Sequence, residues 1–407
     1  MRAPLRVLAM ASVLSLALVG QASAKTTITI WTCFGFQPHK SILDAMFRDF
    51  EKLNPDIRVK HVVPTPDSGL LPEKLLTVMA GGSGPNLAWV APERVSWLYD
   101  SGATIPLSQL EKLGGKMANA DFYKGMWTAN LRKNQKWGVP FENSTLALYY
   151  NKTLFANAGI GKAPVSWNEL TDVAIKLTST EKRIFGITPY YADWYFPMWL
   201  AQKGAGFTND EGTKITWTSD AAVAAVQWYT DLQVKYKVAG GDFLSGKSGM
   251  YIDGNWSYPS LQKTKLNFGI APLPVAEGGI PATFPPYKEL LVLKAPNAEL
   301  LASWKLEKYI MEPAAFAKWC IATAYLPVTK SQAKHPDLAK YLDKNPELVN
   351  GHLNQSDDAY FPPILRNTKV IWAVFQVAID QIIAGKKPVR QALTDSAAKA
   401  QVFLKAK

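Results

Sequence analysis

The stretch Thr26-Thr27-Ile28-Thr29-Ile30-Trp31, followed by Ser41-Ile42-Leu43-Asp44 and closed by Pro55, decides the fold class. Its first half alternates polar and apolar residues, the period of a half-buried strand. Apolar residues at 42, 43, 46, 47, 50 and 53 then recur at helical spacing, and Ser41 with Asp44 reads as a capping box that starts the helix there. Working outward, Ile57 to Val63 reads as a second strand, Pro72 opens a helix that Gly81-Gly82 ends, and Leu87 to Val90 is a wholly apolar third strand. Strand and helix in alternation predict an α/β lobe around a largely parallel sheet.

From Trp137 the pattern begins again. Strand Thr145 to Tyr150, a short helix ended by Gly159, a helix capped by Ser166 with Glu169 three residues on, and strand Phe185 to Thr188 form a second α/β unit. A helix from about Ser219 to Val238 continues it, then strands Gly249 to Ile252 and Phe268 to Pro274. The Pro- and Gly-rich run Pro272 to Pro286 reads as a crossing segment. Strand Leu290 to Leu293, helices from about Asn297 to Thr323 and two helices after Thr368 complete the chain, with no short-period repeat.

The chain opens Met1-Arg2-Ala3-Pro4-Leu5-Arg6, runs apolar from Val7 to Val19 and continues Gln21-Ala22-Ser23-Ala24. A cationic start, an apolar run too short to span a bilayer and an Ala-x-Ala end describe a secretory signal, with cleavage expected after Ala24 and the product free in the periplasm. The rest of the 407 residues exceeds one typical domain and suggests two. With 48% hydrophobic and 19% charged residues the chain has the composition of a globular protein. The net charge of +12 is spread over scattered lysines, so nucleic-acid binding gets little support. The two cysteines, Cys33 and Cys320, suit either a disulfide or two packed thiols. The four histidines, His39, His61, His335 and His352, show no metal-ligand spacing, and neither a metal nor a cofactor is expected.

Several stretches resemble the family 1 bacterial extracellular solute-binding proteins, the class that includes the maltose-binding and glycerol-3-phosphate-binding proteins. They are Ile28 to Trp31, Gly82 to Ala91, Trp137 to Pro140 through Tyr149-Tyr150-Asn151-Lys152, Ser166 to Leu170, Gly246 to Trp256, and Tyr325-Leu326-Pro327-Val328. Their order covers nearly the whole chain after Ala24. The resemblance implies a periplasmic-binding-protein-like α/β fold, with two discontinuous lobes joined by crossing segments around a ligand cleft. The lobes are expected at 25–140 with 287–327 and at 141–286 with 328–407, with crossings near Pro140, Pro286 and Pro327. It also implies that a sugar or sugar-derived solute is captured for an ABC importer, whose membrane permease and ATPase are the partners of a monomeric binder. Two departures, Asn86 in place of the usual acid and Phe284 to Glu289 in place of a Gly-rich stretch, touch the expected ligand-facing surface.

A sugar presents apolar C–H faces and a hydroxyl rim, so its site needs aromatic platforms beside hydrogen-bonding groups. Among 14 Trp and 16 Tyr, the candidate platforms are Trp31, Trp194, Tyr195, Trp199, Trp256, Tyr287 and Tyr325. Core packing competes with ligand contact for each of them. Trp256 and Trp194 match family positions that face ligand. Polar candidates at strand ends are Gln37, His39, Asp67, Ser68, Glu93, Arg94, Glu142, Asn143, Ser144, Asp253, Asn255 and Arg366. An anionic solute such as glycerol phosphate or a sugar phosphate is the alternative ligand. A glycosidase would need two carboxylates flanking one bond, and Glu93, Glu142 and Asp253 are the acids available for that role. No nucleophile elbow, zinc-protease helix, P-loop or dinucleotide fingerprint accompanies them, so no enzyme is expected. The positive balance opposes a polyamine ligand.

Overall fold

The computed structural model describes residues 25–91, 95–118, 120–128, 131–132, 135–189, 192–283, 288–360, 363, 365 and 367–405. Its strands, in chain order, are β1 (Thr26–Trp31), β2 (Ile57–Val62), β3 (Leu87–Val90), β4 (Leu131–Arg132), β5 (Gln135–Lys136), β6 (Gly138–Pro140), β7 (Leu146–Asn151), β8 (Phe185–Ile187), β9 (Ser248–Gly254), β10 (Phe268–Ala271) and β11 (Glu289–Val292). They form a five-stranded sheet ordered β2-β1-β3-β11-β6, a four-stranded sheet ordered β10-β7-β9-β8 and the short pair β4-β5.

The first sheet is parallel across β2, β1 and β3, as the sequence predicts, but β11 runs antiparallel to both β3 and β6. The register supplies the reason. Glu289 at the start of β11 faces Val90 and Pro140, the last residues of β3 and β6. The chain therefore leaves this sheet at one edge, visits the second sheet and re-enters at the same edge, which reverses its direction. The second sheet departs further from the parallel expectation, with β7 antiparallel to β10 and β9 and only β8 parallel to β9. Leu146 at the start of β7 faces Gly254 at the end of β9, so the second sheet has an equivalent edge.

Each sheet is covered by its own core. Leu87, Ala88, Trp89 and Val90 are all buried, as befits a central strand packed on both faces, and they join Ile28, Ile30, Phe141, Trp304 and Trp319. The second core gathers Trp167, Trp199, Trp217, Phe196 and Phe375 around Leu146 and Met250. Burying one Leu- or Phe-sized side chain contributes roughly 1.5–3 kcal/mol, so each cluster stabilises its own sheet. Val328, Leu338 and Leu342 pack in the first core, whereas Leu348 packs with Tyr149 and Ile270 of the second sheet. Past residue 342 the chain touches both cores, since Leu353 packs in the first.

One local expectation is corrected. The first helix spans His39–Leu53 with Pro38 at its N-cap and no side-chain cap. Asp44 does not serve a capping box, because its carboxylate is taken by Lys40 at 2.5 Å and by Nδ1 of His61 at 2.6 Å. The apolar run 297–323 is two helices, Asn297–Met311 and Pro313–Thr323. Pro313 lacks the N–H needed to continue the first and suits the first turn of the second. Cys33 and Cys320 are both buried free thiols.

Candidate functional site

The edges of the two sheets meet at a junction where most of the described candidates gather. Beyond β1, Cys33 and Phe34 turn inward, and His39 stacks on Phe34 with ring centroids 5.2 Å apart. The rings of Trp319 and Tyr325 lie edge-on to His39 at 5.4 and 5.9 Å and stack on each other. Burial, reinforced by the nearby Lys288 charge, lowers the His39 pKa to about 4, so its ring is neutral at pH 7. Burial likewise pushes the Cys33 thiol up to about 11, which makes it a packing group rather than a nucleophile.

Beside these rings Lys288 donates to Oε2 of Glu142 at 2.8 Å, with 16% and 0% of the two side chains exposed. Burial alone would lower the Lys288 pKa. The Glu142 carboxylate, with Tyr325 and Cys33, outweighs it and keeps the pKa above the usual lysine range. Lys288 was not among the sequence candidates, and its place directly after the Pro-rich crossing is the signal that would have found it.

Asn143 and Asn255 stitch the two halves. Nδ2 of Asn143 donates to Pro327 O at 2.7 Å and to Oγ of Ser356 at 2.9 Å, and its carbonyl accepts from Leu326 N–H. Nδ2 of Asn255 donates to Ala324 O at 2.6 Å. Ser144 is buried beside them. These bonds tie the start of β7 and the end of β9 to the segment 324–327. The carboxylate of Asp253 accepts from the hydroxyls of Tyr251, at 2.6 Å, and Ser257.

The candidate platforms separate by burial. Tyr195 and Trp199 are 3% and 0% exposed and belong to the second core, where Trp199 lies edge-on to Trp167. The structure therefore assigns them to packing. Trp31 and Trp256 are half-buried at the carboxyl ends of β1 and β9, each with part of its surface open, and that is where α/β sheets hold ligands. Tyr325 is 8% exposed in the aromatic floor. Gln37, Asp67 and Ser68 are exposed on the first lobe. Asp67 closes its own turn by accepting from Gly69 N–H at 2.7 Å. Glu93, Arg94, Tyr287, Arg366 and the side chain of Trp194 lie outside the described residues.

Asn86 has a structural explanation. Its Oδ1 accepts from Thr29 N–H at 2.7 Å and its Nδ2 donates to Oε2 of Glu299 at 2.6 Å. An acid at this position would set two carboxylates against each other, so the amide is matched to Glu299 rather than to a ligand. Between the two halves, Lys369 of helix Thr368–Ile383 meets Glu73 of helix Leu71–Ala80 at 2.6 Å. This exposed ion pair joins them.

His352, fully buried, supports the junction from below. Its Nδ1 donates to Thr145 O at 2.8 Å, which leaves Nε2 as an acceptor 2.8 Å from the Tyr149 hydroxyl. Burial lowers its pKa to about 3. The unfolded chain takes up this proton near pH 6.5 and the folded chain does not. The contribution of His352 is therefore complete above pH 6.5 and is lost as pH falls toward 3. Between pH 7 and pH 5 the wild type should lose about 2 kcal/mol more unfolding free energy than His352→Gln. Urea titrations of both proteins at the two pH values check this, and parallel pH dependences would refute it.

Among the described residues no group of three or more His, Cys, Asp or Glu is placed to hold a metal ion. No described helix is long and apolar enough to cross a membrane.

A family model described as bacterial extracellular solute-binding protein matches residues 45–347. A putative binding protein of Brucella abortus is 28% identical over 382 residues, 88% of each chain. The sn-glycerol-3-phosphate-binding periplasmic protein of Salmonella typhimurium is 25% identical, covering 96% of this chain and 95% of its own. The solved cyclic α-maltosyl-1,6-maltose binding protein of Arthrobacter globiformis superposes with a TM-score of 0.82 at 23% identity, over 94% of this chain and 100% of its own. With a match over most of its length and two α/β halves meeting at an aromatic-lined junction, the chain belongs to the bacterial extracellular solute-binding protein family.

Proposed function

We propose that this protein is the solute receptor of an ABC importer and that its ligand is a neutral sugar or oligosaccharide held between the two halves. The observation that carries the reading is the junction itself. Half-buried Trp31 and Trp256 stand at strand ends on opposite halves, and the cation on the described floor, Lys288, is already neutralised by Glu142. His39, neutral at pH 7, adds no charge there. A phosphate would need an unpaired cation, whereas a sugar needs flat rings and a hydroxyl rim. The Arthrobacter relative is named for an oligosaccharide, and the Salmonella relative for the glycerol phosphate that is the second reading.

The carboxylates of Glu142 and Asp253 are engaged by Lys288 and by Tyr251 and Ser257, which supports binding without turnover. In this reading the chain is exported, is cleaved after Ala24, works as a monomer in the periplasm and is read by a permease with its ATPase. In this reading the lobes are 25–140 with 287–327 and 141–286 with 328–407.

Thermal-shift screening of the protein against maltotriose and glycerol 3-phosphate tests the reading. A ligand at about 100 times its dissociation constant adds roughly 2.7 kcal/mol of stability. Stabilisation by glycerol 3-phosphate alone would select the anionic reading. Steady release of shorter sugars from maltotriose would show an enzyme.

A further inference from the structure

The geometry points to Asp253 and Gly254 as positioning residues that hold the Trp256 ring at the carboxyl end of β9, so that the platform is built by its own two predecessors. The inference deepens the proposed sugar site and rests on that reading only for its consequence in binding.

Gly254 has φ −87° and ψ 171°, ordinary extended backbone that any residue adopts. Its lack of a side chain therefore needs another reason. A Cβ on Gly254 would overlap the ring atoms Cζ3, Cη2 and Cε3 of Trp256. The indole is folded back over residue 254, in a slot that only glycine leaves open. The backbone beneath the slot is fixed independently of the ring. Gly254 pairs with Leu146 in the sheet, and its carbonyl, 2.9 Å from the Tyr149 hydroxyl, shares that group's single proton with Nε2 of His352.

Asp253 holds the same ring by its polar edge. Its carboxylate accepts from Tyr251 and Ser257, and the Trp256 side chain is among the polar groups that oppose the rise burial imposes on its pKa. Trp has a single side-chain donor, the indole N–H, so this interaction draws the ring's polar edge toward Asp253 while Gly254 fixes its height. Asp253 is 6% exposed and already occupied by these donors, which suits an anchor better than a contact to the sugar rim. A ring held at both its edge and its face loses little entropy when a solute stacks on it.

The test separates this inference from the sugar reading. In a ¹H–¹⁵N spectrum of the full chain, the Trp256 indole resonance is the one that Trp256→Phe removes. Gly254→Ala and Asp253→Asn should each shift that resonance and speed its exchange with solvent, because the tip of the ring must leave the slot or lose its acceptor. The alanine requires only the ring to move, so the fold should survive. An unshifted, equally protected indole in both variants overturns the inference, whatever the protein binds.

Affinity for maltotriose is the second readout. Gly254→Ala should weaken it by about tenfold in the wild-type background and by less than about twofold on top of Trp256→Ala. Equal losses in the two backgrounds would show that Gly254 acts elsewhere and would overturn the inference. A wild-type protein that ignores maltotriose would instead defeat the neutral-sugar reading and leave the indole resonance to decide this one.

Discussion

Replacing Lys288 by methionine should destabilise the protein by about 3–5 kcal/mol, because it strands a buried carboxylate. Glu142 has no exposed side-chain surface, and its Oε1 has no hydrogen-bond partner among the described residues even with Lys288 in place. Lys288 supplies the remaining compensation at 2.8 Å. Removing the cation while keeping the shape of its stem leaves an unpaired charge that must either stay buried or take up a proton. The double variant Lys288→Met/Glu142→Gln removes both charges and should recover most of the loss, since a buried pair is worth little more than a well-packed neutral one. Urea unfolding of the wild type, both single variants and the double variant measures the cycle. A single variant within about 1 kcal/mol of wild type would mean that solvent reaches the pair.

The second large effect is expected at Trp256. Removing an aromatic platform at the centre of an interface commonly costs at least about 2 kcal/mol of binding, so Trp256→Ala should weaken sugar affinity by more than about tenfold. The ring is only half-buried and packs on the margin of the second core, so the melting temperature should move much less than for a core tryptophan such as Trp217. Calorimetric titration with the sugar selected by the thermal screen, beside thermal unfolding, reads both quantities. Unchanged affinity in a variant that melts several degrees lower would make Trp256 a core residue.

Small-angle scattering bears on how the two halves work. A solute that touches both should favour their closed arrangement and reduce the radius of gyration. The pair Lys369–Glu73 is exposed at 69% and 56%, so screening keeps it from holding the halves shut without ligand. A bound solute that leaves the radius unchanged would rule out a large hinge motion.

Much of the architecture could be read along the chain. The alternation of Thr26 to Trp31, the apolar Leu87 to Val90 and the cap at Ser166 all appear as predicted. These signals are local, since a strand's period or a capping hydroxyl reports the conformation of its own few residues. The antiparallel return of β11 was not legible, because it depends on where the chain re-enters after an excursion of more than a hundred residues. The same holds for the site. Trp199 and Trp256 are one residue type, and no property of the side chain says which is enclosed. Asn86 looked like a ligand-facing change until Glu299, 213 residues away, appeared as its partner.

The sequence by itself therefore determined two α/β units, their strands and main helices and the family. Hydrophobic period, turn residues and motif order survive any placement of the units in space. Only the tertiary structure decided which aromatics close the cores and which stand at the junction, and that Glu142 is neutralised by a lysine 146 residues later. Burial and pairing are properties of the docked surfaces, and a chain that passes repeatedly between two sheets brings those surfaces together from segments remote in sequence.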